Sequence, residues 1–171
     1  DGARIAYFQD VRLGPARTSA ATAADRRLAI HTLATGSVDL FDLQLVGMGH
    51  PTWSRDGPSV IIQGTDTEGR QGLLQIDLET RAKVPLAMTR EATDPRRIAP
   101  TTAPDGRSVF FHLVYPSPKM LQLRDEGGIA SLELASGTEK VVIGGRLTAF
   151  AVSPDGQWIA KTSTRDGLQE N

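Results

Sequence analysis

A chain of 171 residues, 39% hydrophobic and 23% charged, is long enough to bury a core and too apolar to be a disordered polymer. A formal net charge of −1 and a pI of about 6.3 give no general pull toward nucleic acid or an anionic membrane, and no apolar run approaches the roughly 18 residues of a membrane span. Cysteine is absent, which removes disulfides and thiolate chemistry without choosing a compartment.

Four Asp-Gly pairs, beginning at residues 1, 56, 105 and 155, recur at steps of 55, 49 and 50 residues. A period of that size predicts stacked or ringed supersecondary units. Four residues after each Asp comes a β-branched side chain, Ile5, Val60, Val109 or Ile159, followed by an apolar one. Each pair therefore reads as a tight turn that launches a short buried strand, and these four side chains are expected in equivalent buried sites. Asp56-Gly57, Asp105-Gly106 and Asp155-Gly156 are structural turn residues. Pro104 and Pro154 preset φ, glycine accepts positive φ, and the carboxylates tie back to backbone amides.

Taken in order, with the strands of a unit lettered A to D, the first unit predicts B over 4–8, C over 28–33 and D over 38–45. Between B and C, residues 9–26 leave open a loop or a helical turn over 20–27, capped by Thr18 or Ser19. The second unit predicts A over 51–54, B over 59–63, C over 73–78 and D over 83–88, where Pro85 implies an edge strand. The third predicts A over 98–102, B over 108–114, an insert over 115–127, C over 129–134 and D over 140–143. The fourth supplies A over 147–152 and B over 158–162. The units are 1–49, 50–97, 98–145 and 146–171, within one partial domain over 1–171.

Ser-Pro-Asp-Gly followed by an apolar strand resembles the repeat of the TolB-type β-propellers. So do Leu74-Gln75-Ile76-Asp77-Leu78-Glu79-Thr80, residues 130–137 and residues 29–36, which match that family's third strand. The resemblance covers nearly the whole chain. It implies an all-β propeller of four-stranded antiparallel blades, with three blades and part of a fourth present in a fragment of a longer chain. Open blade edges would invite self-association.

Chemical motifs are sparse. His31, His50 and His112 have no metal-ligand spacing, and no metal site or cofactor is expected. His31 aligns with Ile76 and Leu132 and is expected to pack inside a blade. His50, just before strand A, is the histidine placed to meet a ligand near a central channel. There is no Gly-x-Ser-x-Gly elbow or phosphate loop, Ser54 and Ser153 read as turn residues, and Asp66-Thr67-Glu68-Gly69 reads as a solvated turn. Trp53, Trp158, Tyr7, Phe110 and Phe111 are expected to be mostly core. Tyr115 opens an insert with Met120, Leu121 and Leu123, for which a contact patch and a cover for the blade are both open.

Length varies most between strands B and C, and variable loops on a fixed scaffold are where binding resides. The B–C connections and the D–A segment 89–97 should share one rim with ten basic and ten acidic residues, a balance that favours a protein or peptide over nucleic acid. The rim candidates are Tyr115, Lys119, Arg124, Arg96 and Arg97. The resemblance implies a non-enzymatic, TolB-like bacterial scaffold, periplasmic or secreted, or a sensory propeller. The alternative is the propeller domain of a larger prolyl oligopeptidase-like or amidohydrolase-like enzyme, gating access to its substrate.

Overall fold

A computed structural model describes residues 2–10, 26–55, 57–115, 127–145 and 149–162. These residues form four antiparallel sheets and no helix. The first sheet is β1 (Arg4–Asp10), β2 (Arg26–Thr32) and β3 (Val38–Phe41). The second is β4 (Gly47–Trp53), β5 (Ser59–Thr65), β6 (Gln71–Asp77) and β7 (Lys83–Met88). The third is β8 (Arg96–Thr102), β9 (Ser108–Val114), β10 (Gly128–Glu133) and β11 (Glu139–Gly144), and the fourth is β12 (Ala149–Val152) and β13 (Ile159–Thr162). Strand order within each sheet follows the chain, so every sheet is a meander. No helix of the described residues is long and apolar enough to cross a membrane, which says nothing of β-barrels.

The repeated turns are built alike. The amides of Ser54, Ala103 and Ser153 donate to the carbonyls of Ser59, Ser108 and Trp158 at 2.9, 2.8 and 2.9 Å. Gly57, Gly106 and Gly156 sit at φ of 82°, 72° and 73°, a region that favours glycine. The Asp105 carboxylate accepts the Arg107 amide at 2.9 Å, and Asp155 accepts the Gln157 amide at 3.1 Å and the Ser153 hydroxyl at 2.5 Å. Asp56 lies outside the described residues. Ser54 is a buried turn residue whose hydroxyl donates to the Ser59 carbonyl at 2.7 Å. The second turn of each unit also repeats, with Gly36 at φ 70° and Gly137 at 69°, and with Arg81 at 61° in the same place. Arg81 lies 4.8 Å over the Phe41 ring, a cation–π contact that offsets part of the backbone cost.

Successive residues of a strand face opposite sides, and the second sheet is buried on both. Val60, Ile62, Leu74 and Ile76 pack against Leu28, Ile30, Phe41, Leu43 and Leu45 of the first sheet side. Ile61 and Leu73 pack against Val109, Phe111, Leu113, Ala130 and Leu132 of the third. The same pairing fixes which expected core positions stay open. Ile5 pairs with His31 as Val60 pairs with Ile76 and Val109 with Leu132. Ile76 and Leu132 each face the preceding sheet, and the first sheet has none among the described residues. Hence Val60 and Val109 are fully buried, Ile5 is 48% exposed, and His31 is half-exposed instead of packed inside. Ile159 is half-buried, and Trp158, expected in the core, is 71% exposed beside β13.

Polar side chains stitch sheet to sheet. Arg4 donates to the Gly57 carbonyl at 2.8 Å and lies 5.0 Å over Trp53, and Lys83 donates to the Leu43 carbonyl at 2.7 Å. Between the second and third sheets, the Gln71 amide imitates a strand neighbour. Its Nε2 donates to the Arg97 carbonyl at 2.6 Å, and its Oε1 accepts the Arg97 amide at 2.9 Å. Gln63 Oε1 accepts the Ala99 amide at 2.9 Å. These contacts occupy the free edge of β8, which would otherwise be open to another chain. Pro85 lies on the outer strand β7, where its missing amide removes no ladder bond from a further neighbour.

Two outcomes are expected. Gly106→Val places a β-branched residue at φ 72°, with its Cβ 2.6 Å from that of Arg55, and should destabilise the fold by about 1 kcal/mol or more, read as a lower Tm. Gln71→Ala strands the two backbone groups of Arg97 and should cost about 1–3 kcal/mol in a denaturant titration.

Candidate functional site: a loop groove opening onto the inner strands

Two turns shape the loop face. In the β5–β6 turn the Asp66 carboxylate accepts the amides of Glu68 and Arg70 at 3.0 and 2.9 Å and the Arg70 guanidinium at 2.8 Å. This is a solvated turn closed on itself. In the β7–β8 link, Asp94 Oδ2 accepts the amides of Arg90 and Glu91 at 2.7 and 3.1 Å. Those two amides, helped by the nearby charges of Arg97 and Arg90, hold the Asp94 carboxyl below the usual carboxylate range. Thr89 ties the link to β6, its hydroxyl accepting the Gln71 amide at 2.9 Å. Between the two turns runs a groove of about 470 Å³, walled by Met48, Thr65, Gly69, Glu91, Arg96 and Ile98.

Ile98 also lines a second cleft, of about 680 Å³, on the inner strands. Here β4 and β8 carry the same irregularity. Their registers shift between Gly49 and Thr52 and between Ile98 and Thr101. His50 at φ 46° and Ala99 at φ 51° stand in the bulges, each just before a proline, Pro51 or Pro100. Non-glycine residues seldom adopt positive φ, and such strain persists only where the surroundings hold it. Tyr7 and Phe8 of β1, His112 of β9 and Phe150 of β12 complete the wall. His112 is 8% exposed, its ring lies 4.9 Å from that of Phe150, its Nε2 has no hydrogen-bond partner, and burial lowers its pKa.

The sequence-predicted residues fall in different places. His50 is exposed in the bulge of β4, inside the strand instead of ahead of it, and lines the inner cleft. Arg96 is exposed on the loop groove. Arg97 is not an open rim contact. Its side chain is 14% exposed and paired with Glu139 at 2.7 Å, because successive β8 residues face opposite ways. Tyr115 directly follows β9 and is half-buried, while Lys119 and Arg124 lie outside the described residues. The inner cleft and His112 were missed. A signal existed: His50-Pro51 and Ala99-Pro100 stand at matched distances before Asp56 and Asp105. What the two clefts offer is contact, through proline and aromatic surface, one guanidinium and two imidazoles. No group of three or more metal-ligating side chains occurs among the described residues.

No family profile matches the sequence, and no curated protein is significantly similar to it. Solved structures are. TolB from Acinetobacter baumannii superposes with a TM-score of 0.66 at 20% identity, over 96% of this chain and 36% of that one. A TolB-type protein from Agrobacterium tumefaciens gives 0.67 at 17% identity, over 94% of this chain and 50% of that one. An oligogalacturonate lyase in complex with manganese gives 0.61 at 14% identity, over 82% and 36%. This chain therefore spans half or less of those proteins. At such identities the likeness is one of fold, and the fold is that of a TolB-like β-propeller, built here of four antiparallel sheets.

Proposed function

We propose that this chain is a non-enzymatic propeller scaffold that binds a protein or peptide through its loop face. The four sheets serve as three blades and part of a fourth, units 1–49, 50–97, 98–145 and 146–171 of one partial domain. The observation that carries the reading is the groove between residues 65–71 and 89–96. It is shaped by backbone-bonded turns on a doubly buried sheet, and it presents Arg96, Glu91 and apolar surface together. A mixed lining of this kind suits a polypeptide with both backbone and side-chain groups to offer. In this reading Tyr115, Lys119 and Arg124 contribute contacts to the partner, and so does His50, on the inner cleft that Ile98 also lines. A periplasmic or secreted setting follows from the TolB-like reading.

A second reading, the propeller part of a larger enzyme, draws support from a lyase that shares the fold. The two readings separate on activity and on binding. The purified chain should turn over neither peptidyl nor ester substrates. Steady turnover abolished by a point change within the chain would overthrow the scaffold reading.

Binding is checked by pull-down with the full-length protein, followed by two changes to the rim. Shortening residues 115–127 to a four-residue turn should abolish capture of the partner, and Arg96→Glu should weaken it by about tenfold, the scale of one charge-assisted contact. Capture that survives both changes but is lost when the Asp-Gly turn face is altered would place the partner on the opposite side.

A further inference from the structure

Gln63 and His112 hold the same place in the repeat, seven residues after Asp56 and Asp105. Gln63 pairs with Gly49 of β4, and His112 with Ile98 of β8, again seven residues before the same aspartates. Gln63 reaches the inner strand of the next sheet, where its Oε1 accepts the amide of Ala99. The residue equivalent to Ala99 in the fourth sheet is Ala149, six residues before Asp155. His112 meets that sheet at the adjacent residue, with its ring 4.9 Å from Phe150 and tilted by 42°. Where Gln63 has a partner, His112 has Nε2 buried and unpaired.

We propose that His112 is the third sheet's latch on the fourth, as Gln63 is the second sheet's latch on the third, and that it holds only while its imidazole is neutral. Neutral imidazole can pack on Phe150 and keep one nitrogen as an acceptor. Imidazolium has two N–H donors and no acceptor. A charged ring would then be buried with Nε2–H unsatisfied, a cost that the cation's attraction to Phe150 recovers only in part. Release of β12 and β13 opens the site to water, so protonation and release are linked.

Among the described residues, the titratable groups around the imidazole offer no counter-charge. Tyr7 of β1 and His50 of β4 line the same cleft. On β8, Arg97 is committed to Glu139, and on β13, Lys161 stands opposite Phe150 and is exposed. Burial is the cause of the lowered His112 pKa. The sign follows: a base whose pKa falls on folding binds its proton better in the opened state. The latch is therefore fully held above the free histidine value of about 6.5 and weakens as pH drops below it.

The test is amide hydrogen exchange on the whole chain from about pH 7.5 to about pH 5, corrected for intrinsic rates. Protection of β12 and β13 should fall relative to β5 and β6, approaching tenfold per pH unit below about 6.5, as uptake of one proton requires. His112→Gln restores the side chain found in the second sheet and should flatten that profile, while His31→Gln should leave it unchanged. Should the glutamine variant fail to fold, His112→Phe keeps the ring without the titration and should flatten the profile as well. A wild-type profile without relative change, or the same pH dependence in either His112 variant, would overturn the proposal.

Discussion

Val60, Ile62, Leu74 and Ile76 face one neighbour, while Ile61 and Leu73 face the other, so the second sheet has no solvent side. Burying a side chain of this size is worth about 1.5–3 kcal/mol, and each of these is 5% exposed or less. No turn or ion pair among the described residues competes with that sum. The constraint dictates composition. The central strands must be apolar at successive positions, which is why Val60-Ile61-Ile62 is a continuous run where a one-sided sheet would alternate. It also dictates stacking, because neither cluster closes without residues from the adjoining sheet.

Face-to-face burial fixes the spacing of the sheets but leaves their sliding free, since apolar contact has little direction. The directional contacts lie at the two ends of the sheets. At the Asp-Gly end, Arg4, Arg81 and Lys83 reach from one sheet to the backbone or rings of its neighbour. At the loop end, Gln63 and Gln71 do so with neutral amides. Neutral amides suit the loop end. They saturate both the donor and the acceptor of Arg97 at the edge of β8, which a cation could not do.

Much of this fold was legible because a propeller-type repeat writes its turns into the sequence. The Asp-Gly pairs and the β-branched residue four positions on located the turns ahead of β5, β9 and β13, and Pro85 marked an outer strand. Ile5 and His31 were read as equivalents of buried residues, and by register they are, but burial is a property of the neighbouring sheet. Trp158 was read as core because it adjoins a strand, and it is exposed. Arg97 failed for a related reason: a basic residue beside Arg96 looked like a second rim charge, whereas one residue along a strand is a turn to the other face, where Glu139 stands. The inner cleft was illegible to a search for chemical motifs because it is made by backbone. His50 and Ala99 share a conformation and not a side-chain type.

That shared conformation ties the loop face to the inner strands. A bulge sets two residues of one strand against one of its partner, bending the strand and interrupting the ladder. In β4 the residue on that step is a histidine and in β8 an alanine, and each is followed by a proline that donates no hydrogen bond. The backbone thus supplies the same displaced step twice, and the side chain on that step is free to differ. β12 pairs with β13 through Ala149 and Phe150 without a shift, so the third copy of the step is absent there. In its place Phe150 turns its ring to His112. The inner cleft is therefore asymmetric by construction. Two strands present backbone steps carrying His50 and Ala99, and the other side presents an aromatic–imidazole contact. A bound chain would meet different chemistry on the two sides, which is the condition for fixing its direction.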